Sequence, residues 1–410
     1  MQQFRPPLNN SAFMAFCKWG LPLELFRARL KVEVAGDGIE RFRRLNGRRA
    51  VLICNHPDQS DPEVVFTFSK IVGEDFNFIA AREVFDWWLG ATGLCFQLIG
   101  VYSVVRGEAD LESFATSRDI IAHGDRKLVV FPEGEVTRQP DTLLPFRPGA
   151  TRLFFEGQEE LLRTNSTESV LIQPIATRWR YKNDISSNLH RALRKIENRL
   201  HIPPSSAALS ERIKGAGSAM LTALEHEYRC DNNADQPFDH RVGLLLQCIL
   251  RRMANLLGVE LPESEIHREW LRRVSNTMRE YITDDVSSKS RFQQDLHREQ
   301  AQKMKDMVKD VHRIQHFVGV NGDSVSRPQT QERLASVVAK IELEVLGRIS
   351  DKGPRICTVG VGEPISLLSF YEDYQHDRIA VIEQTTKLLQ SKLQSLVDDL
   401  DRQRAPLYLT

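Results

Sequence analysis

The chain of 410 residues is short of three things: an excess of charge of either sign, cysteine in pairs, and an apolar run able to span a membrane. Basic and acidic side chains balance, 55 against 55, which removes any overall electrostatic pull toward nucleic acid, so no nucleic-acid partner is expected. The six cysteines (17, 54, 95, 230, 248 and 357) are irregularly spaced. They offer neither a disulfide framework nor a metal-ligand pattern, so reduced thiols, no metal and a cytoplasmic setting are expected. The N-terminus, Met1-Gln-Gln-Phe-Arg-Pro-Pro7, lacks the basic start, apolar core and cleavage site of a secretory leader. The stretch Trp87 to Val105 carries no charge over 19 residues, near spanning length. It contains Gly90, Thr92, Gly93, Gln97 and Gly100, and its last third reads as a strand. A strand of a soluble sheet cannot also end a spanning helix. The segment Val84 to about Leu98 is therefore expected to be an amphipathic or buried helix. Its Trp87, Trp88 and Phe96 suit an interfacial face, a channel for an apolar chain, or simple core packing.

The charge balance hides a local excess. Residues 1–50 hold ten Lys or Arg against four acids, a net +6. A basic face of this kind suits an anionic membrane surface, at roughly 1 kcal/mol per nearby basic residue; a solvated surface is the competing reading. The segment Phe13 to Leu30, helix-like with Phe16, Trp19, Leu23 and Phe26, is placed to lie on the same surface.

Chemistry enters at Val51-Leu-Ile-Cys-Asn-His56-Pro-Asp-Gln-Ser-Asp61-Pro-Glu63. An apolar, β-branched run ends at Cys54 and a turn-rich segment comes at once after it. Pro62, with Ser60 or Asp61 as cap, then signals a helix start. His56 and Asp61 thus stand on a strand-to-helix turn, where an imidazole can take a proton from a hydroxyl while a carboxylate fixes its tautomer. Asp58 reads as a turn residue. The spacing alone is not specific among 11 histidines, since His226-Glu-Tyr-Arg-Cys-Asp231 repeats it. That second pair lies in a helical pattern with no strand before it, and reads as solvated helix surface.

The segments downstream of His56, taken in order, give it weight. Gly100-Val-Tyr-Ser-Val-Val-Arg106 is strand-like and closes on an arginine. Leu128-Val-Val-Phe-Pro-Glu-Gly134 is a strand ending in a turn that presents Glu133. Phe146-Arg-Pro-Gly-Ala150 comes next, then Val170-Leu-Ile-Gln-Pro-Ile-Ala176, an apolar strand with an internal Pro174. In order and rough spacing these resemble the four blocks of the glycerolipid acyltransferase family, which includes the 1-acylglycerol-3-phosphate acyltransferases. The matching residues are His56 and Asp61, Gly100 and Arg106, Phe131 to Gly134, and Pro174. In one place the chain departs from the pattern. The family's third block usually runs from Pro-Glu-Gly into Thr-Arg-Ser, whereas here it reads Pro132-Glu-Gly-Glu-Val-Thr-Arg138, with threonine and arginine two residues late.

The resemblance implies direct acyl transfer with no covalent enzyme intermediate and no tightly bound cofactor. His56 would be the base, oriented by Asp61; the donor would be acyl-CoA or acyl carrier protein. The acceptor would be a lysophospholipid or glycerol phosphate at the inner face of the membrane. Arg106 is the leading candidate to grip an acceptor phosphate, because a guanidinium matches phosphate oxygens bidentately. Glu133 and Gly134 would shape the glycerol end of the site. Arg82, where the family often carries a basic residue, is a second phosphate candidate, and Arg147 and Arg138 are weaker ones that also read as surface charges. A hydroxylated lipid without phosphate, or a binding protein that kept the fold without catalysis, are the alternative readings.

After Lys182 the texture becomes charged and helical. Val242 to Leu257 is apolar on most faces, Ile266 to Ile282 is amphipathic, and Arg291 to Val318 and Ala335 to Ile349 read as helices around a loop at Gly319 to Pro328. Strand texture returns at Arg355-Ile-Cys-Thr-Val-Gly-Val-Gly-Glu-Pro-Ile365, followed by a long helix from about Tyr371 to Asp401. Gly362 to Ile365 match a strand that closes the catalytic domain in the family. The expected fold is therefore α/β, a mixed sheet flanked by helices, with an all-α insertion. The first part of the acyltransferase domain would span 1–182, the insertion 183–354, and the closing strand and helix 355–410.

Overall fold

Strand β2 (Ala50–Cys54) is the apolar run that ends before His56, and all five of its residues are buried. In the computed structural model it lies mid-sheet. The structure describes residues 4–403 apart from 106–109, 139–140, 165, 231–235, 259, 261–269, 272–273, 275–276, 279–280, 283–289 and 318–329. A strand hydrophobic at every position needs cover on both faces. Val51 and Ile53 enter one core, while Ala50, Leu52 and Cys54 enter the other, as the two-residue period requires.

Around β2 the strands are β1 (Leu30–Val34), β3 (Phe76–Ala81), β4 (Val101–Val104), β5 (Lys127–Val130), β6 (Leu171–Tyr181), β7 (Arg355–Val361) and the short β8 (Ile365–Ser366). They form one mixed sheet in the order β1-β7-β6-β2-β5-β3-β4, with β8 paired to β6. From β6 across to β4 every pairing is parallel, while β7 runs antiparallel to β6 and carries β1 beside it in parallel. On one face Phe154, Phe155, Leu389 and Leu393 cover the sheet, from α6 (Pro148–Arg163) and the C-terminal helix Arg378–Arg402. On the other, Phe42, Val64, Val65 and Phe68 come from α2 (Gly38–Arg43) and α3 (Asp61–Val72). This is the expected α/β architecture, a mixed sheet flanked by helices.

Pro174 sits inside β6, where a missing amide should cost a ladder bond. The Pro174 carbonyl accepts from the Gly362 amide at 2.9 Å, so this residue faces the β7–β8 side. There the partner strand is broken, β7 ending opposite Ile175 and β8 resuming opposite Ile172. The Gly362 carbonyl, which a strand amide would otherwise meet, accepts instead from Gln173 Nε2 at 2.8 Å.

A third core is built only from residues between 185 and 341. Its helices include α7 (Ser186–Arg199), α8 (Leu209–Tyr228), α9 (Phe238–Leu257), Arg291–Phe317 and Gln331–Leu346. Val242, Leu245, Ile249 and Met253 of α9 are buried, but Leu256 is 55 % exposed, so the helix is covered along one face rather than on most of them. The segment leaves and rejoins the sheet at neighbouring points: Tyr181 stands opposite Arg355, and the Lys182 amide donates to Pro354 at 2.9 Å.

Several boundaries differ from the sequence reading. The first helix, α1 (Ser11–Arg27), stops short of Leu30, which opens β1. Val84–Leu98 is not one helix: a 3-10 stretch (Arg82–Gly90) is split from α4 (Ala91–Ile99) by Gly90 at φ +84°. The terminal helix is broken at Asp377, whose extended backbone ends Tyr371–His376 and whose carboxylate caps the Ala380 amide. The Gly319–Pro328 loop, much of Ile266–Ile282, and the side chains of Trp87 and Trp88 lie outside the described residues. No described helix is long and apolar enough to cross a membrane.

Candidate active site

His56, Arg82 and Glu133 each come just after the C-terminal end of a parallel strand (β2, β3 and β5), so they gather on one edge of the sheet, where open α/β sheets place their ligands. The His56 turn is fastened from both sides. Its amide donates to Glu133 Oε1 at 2.8 Å, and its carbonyl accepts from the Thr137 amide at 2.9 Å. The imidazole stacks on the Phe131 ring, centroids 4.4 Å apart. Asn55 ties the end of β2 to β6 by a reciprocal pair, Nδ2 to the Thr177 carbonyl at 2.9 Å and the Thr177 amide to Oδ1 at 2.7 Å.

Ser60 caps α3, Asp61 is its first residue and Pro62 lies within the first turn. The Asp61 side chain is 0 % exposed and accepts four hydrogen bonds. Oδ2 takes His56 Nδ1 at 3.0 Å and the Asp58 amide at 2.7 Å. Oδ1 takes Thr177 Oγ1 at 2.9 Å and Trp179 Nε1 at 2.7 Å. Burial pushes this carboxyl above the usual range, against the pull of the bonds from His56, Trp179 and Asp58. With Nδ1 committed to Asp61, the His56 nitrogen left for chemistry is Nε2, which has no hydrogen-bond partner among the described residues, on a side chain 14 % exposed. That is the arrangement of a general base held in one tautomer.

Glu133 is 1 % exposed, and its second oxygen accepts from the Leu144 amide at 2.7 Å. Both carboxylate oxygens therefore serve the chain's own backbone, and Glu133 fixes the His56 turn. Burial pushes it up to about 7, opposed by the Leu144 and His56 amides. Gly134 makes the tight turn, at φ +69° with its amide on the Phe131 carbonyl. Arg147 precedes α6, donates its amide to the Pro132 carbonyl and stands 3.6 Å from Glu135. Arg82 is enclosed and pairs with Asp86 at 2.8 Å, two strands from β2. Arg106 lies outside the described residues. Asp58 is a turn residue as read: its Oδ1 accepts from the Ser60 amide and its Oδ2 from Arg355. His226 lies near the end of α8 on the solvent side, as expected, and Asp231 is outside the described residues.

The family model for Acyltransferase matches residues 31–178. This stretch is an acyltransferase domain. The search of curated proteins finds no match. The matched range takes in β1 to most of β6, and with it His56, Asp61, Glu133 and Thr177, so the chemistry of the domain is acyl transfer. Trp179 lies one residue beyond it.

Sequence reading passed over Thr177 and Trp179, the β6 residues that hold Asp61. Their signal was the two-residue period: counted from Ile175, both fall on one side of a strand that outlasts its partner β2. Arg355, from β7, was missed as well. Its guanidinium lies 4.4 Å over the Trp179 ring and bonds Asp58, bracing the dyad from behind. Among the described residues there is no group of three or more His, Cys, Asp or Glu that could hold a metal.

Proposed function

We propose that this protein moves a fatty acyl group from an acyl thioester to the hydroxyl of a lysophospholipid or glycerol phosphate. The observation that carries the reading is the His56–Asp61 dyad, 3.0 Å apart at the end of β2 with Nε2 unpartnered, inside the acyltransferase domain. Nε2 takes the acceptor's hydroxyl proton as that oxygen attacks the thioester carbonyl. The new C–O bond forms, the tetrahedral intermediate collapses, and the C–S bond breaks. The leaving thiolate recovers the proton from Nε2, so the base is regenerated within one turnover. Asp61 keeps Nδ1 protonated and offsets the imidazolium charge in a buried setting, where such help is typically worth about 10²–10⁴ in rate.

The donor in this reading is acyl-CoA or acyl carrier protein, and the enzyme works peripherally at the inner face of the membrane. What supports the membrane placement is α1, which leaves Phe16, Trp19, Leu23 and Phe26 exposed at helical spacing beside an N-terminal excess of basic residues. Residues 183–354 are read as an insertion in one catalytic domain formed by 1–182 and 355–410. The deciding experiment is thioester consumption with acyl-CoA or acyl carrier protein against a panel of lysophospholipids and glycerol phosphate, with His56→Ala alongside. Turnover lost in the variant is the expected result. Turnover that survives His56→Ala would remove the dyad from the mechanism.

A further inference from the structure

Thr137, whose amide holds the His56 carbonyl, is followed by Arg138, a non-glycine residue at φ +50°. Strained backbone of this kind persists where surrounding contacts fix it. Here the contacts come from outside the matched domain. The helix Gln331–Leu346 lays Arg333, Ser336 and Lys340 along one side, at the three- and four-residue spacing that aligns side chains. Arg333 pairs with Asp141, and Ser336 Oγ donates to the Arg138 carbonyl. One turn further along the same side stands Lys340.

Arg138 and Lys340 are close enough to repel one another, and both side chains are half-buried. Burial pushes the Lys340 ammonium down to about 8, with Arg138 adding to the effect; burial also lowers Arg138, against the pull of Asp58. Asp58 is already bonded by Arg355. Neither the Arg138 guanidinium nor the Lys340 ammonium has a hydrogen-bond or ion-pair partner among the described residues, and neither side chain is needed to hold the helix, which Arg333 and Ser336 already dock. Two partly buried cations that repel one another, with Asp58 already shared with Arg355, are unfavourable in the free protein, and an anion placed between them relieves both the desolvation and the repulsion.

We propose that Arg138 and Lys340 together form a phosphomonoester subsite, so that the helix Gln331–Leu346 supplies part of the binding site served by His56. A guanidinium gives paired donors to phosphate oxygens and an ammonium a compact second charge. The place, one residue from the amide that holds His56, favours the phosphate of the acceptor over one carried by the donor. This assignment of the ligand rests on the acyl-transfer reading; the anion site itself does not.

The test is calorimetric binding, which needs no turnover. Glycerol 3-phosphate and inorganic phosphate are the probes, glycerol the phosphate-free control, and coenzyme A with its 3′-dephospho form the donor arm. Wild type should bind glycerol 3-phosphate, and Lys340→Gln should weaken it by about 10- to 100-fold, the scale of a lost charge-assisted hydrogen bond. Lys340→Arg should recover most of the affinity. In phosphate-free buffer Lys340→Gln should melt higher than wild type, because a repulsion has gone, whereas a merely structural lysine would give a lower melting temperature. Phosphate binding equal in wild type and Lys340→Gln, or absent from wild type, overturns the subsite. Weakened coenzyme A binding in Lys340→Gln that is absent for the dephospho form would reassign the phosphate to the donor and overturn the acceptor placement. Failure of the acyl-transfer reading shows separately, as no thioester consumption by wild type with any acceptor.

Discussion

Asp61→Asn changes one oxygen to an amide inside a site where all four contacts are donors or can act as donors. If the new NH₂ faces His56, it meets the Asp58 amide, a donor that was 2.7 Å from Oδ2, and it forces Nδ1 to accept. The ring proton then moves to Nε2, which can no longer take one from a hydroxyl. If the NH₂ faces β6, it meets Trp179 Nε1, a donor that was 2.7 Å from Oδ1, although Thr177 can rotate to accept because Asn55 Oδ1 lies 3.2 Å from its hydroxyl. Each orientation leaves one buried donor facing another, a loss of about 1–3 kcal/mol in stability. Each also removes the negative charge 3.0 Å from the imidazolium that forms during transfer. At an effective dielectric near 20 such a pair interacts by about 4 kcal/mol, and the same substitution in a Ser-His-Asp triad lowers kcat about 10⁴-fold. The expectation is a fall in kcat of about 10³–10⁴ with thioester KM little changed, and a lower urea midpoint. Steady-state thioester consumption and urea unfolding read the two effects separately. A kcat within about tenfold of wild type, in a variant that shows the stability loss, would refute the claim that Asp61 orients and balances His56.

The packing sets three further outcomes. Glu133 is held near 7 by burial, so between the ordinary glutamate value and that pH the folded chain keeps a proton the unfolded chain has released. Stability therefore falls as pH rises through that window, by up to about 3 kcal/mol in all, and levels off above it. Glu133→Gln cannot titrate and should flatten the melting temperature against pH there, Asp61 and Glu63 (also raised) leaving some slope; an unchanged profile would show that Glu133 titrates normally. On α1, Phe16, Trp19, Leu23 and Phe26 are 63, 78, 64 and 80 % exposed, so Phe16→Glu with Phe26→Glu should leave unfolding nearly unchanged. Co-sedimentation with anionic vesicles should nevertheless drop by about 10² or more, from some 1.5–3 kcal/mol per lost apolar anchor; undiminished binding would clear α1 of a membrane role. Gly100 stands at φ +96°, and a Cβ there would come within 2.5 Å of Asn9 Oδ1 and 2.8 Å of Asn77 Nδ2. Gly100→Ala should cost about 1–3 kcal/mol in chemical denaturation, and a neutral result would mean that the β4 turn relaxes freely.

The strands that were legible in the sequence are those buried on both faces. Ala50–Cys54 and Lys127–Val130 sit inside the sheet and read as continuous apolar runs. β1 sits at an edge, alternates charge with apolar residues as Leu-Lys-Val-Glu-Val, and went unread because half of its surface faces water. β3 was hidden by Asn77, whose amide is spent on the Gly100 carbonyl and on Asn9 rather than exposed. In the site, His56 and Asp61 announce themselves because both stand in one short turn. Thr177, Trp179 and Arg355 do not, because their roles depend on β6 and β7 running past the end of β2, a pairing that local pattern cannot encode. Glu133 was legible as a turn carboxylate, while its two backbone donors, the His56 and Leu144 amides, were not, because they come from 77 and 11 residues away.

That overrun of β6 also bears on how 183–354 is accommodated. Beyond Ile175, level with Cys54 at the end of β2, β6 continues through Tyr181 paired with β7 in antiparallel register from Ile175 to Tyr181. The two strands thus form a hairpin stem whose mouth, Tyr181 opposite Arg355, holds the ends of the long segment together whatever lies between them. Closure entropy grows only as the logarithm of loop length, about 0.6 kcal/mol per doubling, so a folded body in that loop adds little to the cost of forming the stem. The stem is also what carries Trp179 and Arg355, the residues that brace Asp61 and Asp58. A helical body mounted on it is therefore tied to the His56–Asp61 pair at its base, and its helix Gln331–Leu346 returns to touch the loop that fixes His56. Deleting 190–350 with a short linker should for that reason leave the sheet able to form, since its strands pair without the segment. Turnover should fall with the loss of Ser336, which docks Arg138, and of Lys340. A truncated protein that folds and turns over like the full chain would show that the segment takes no part in the site.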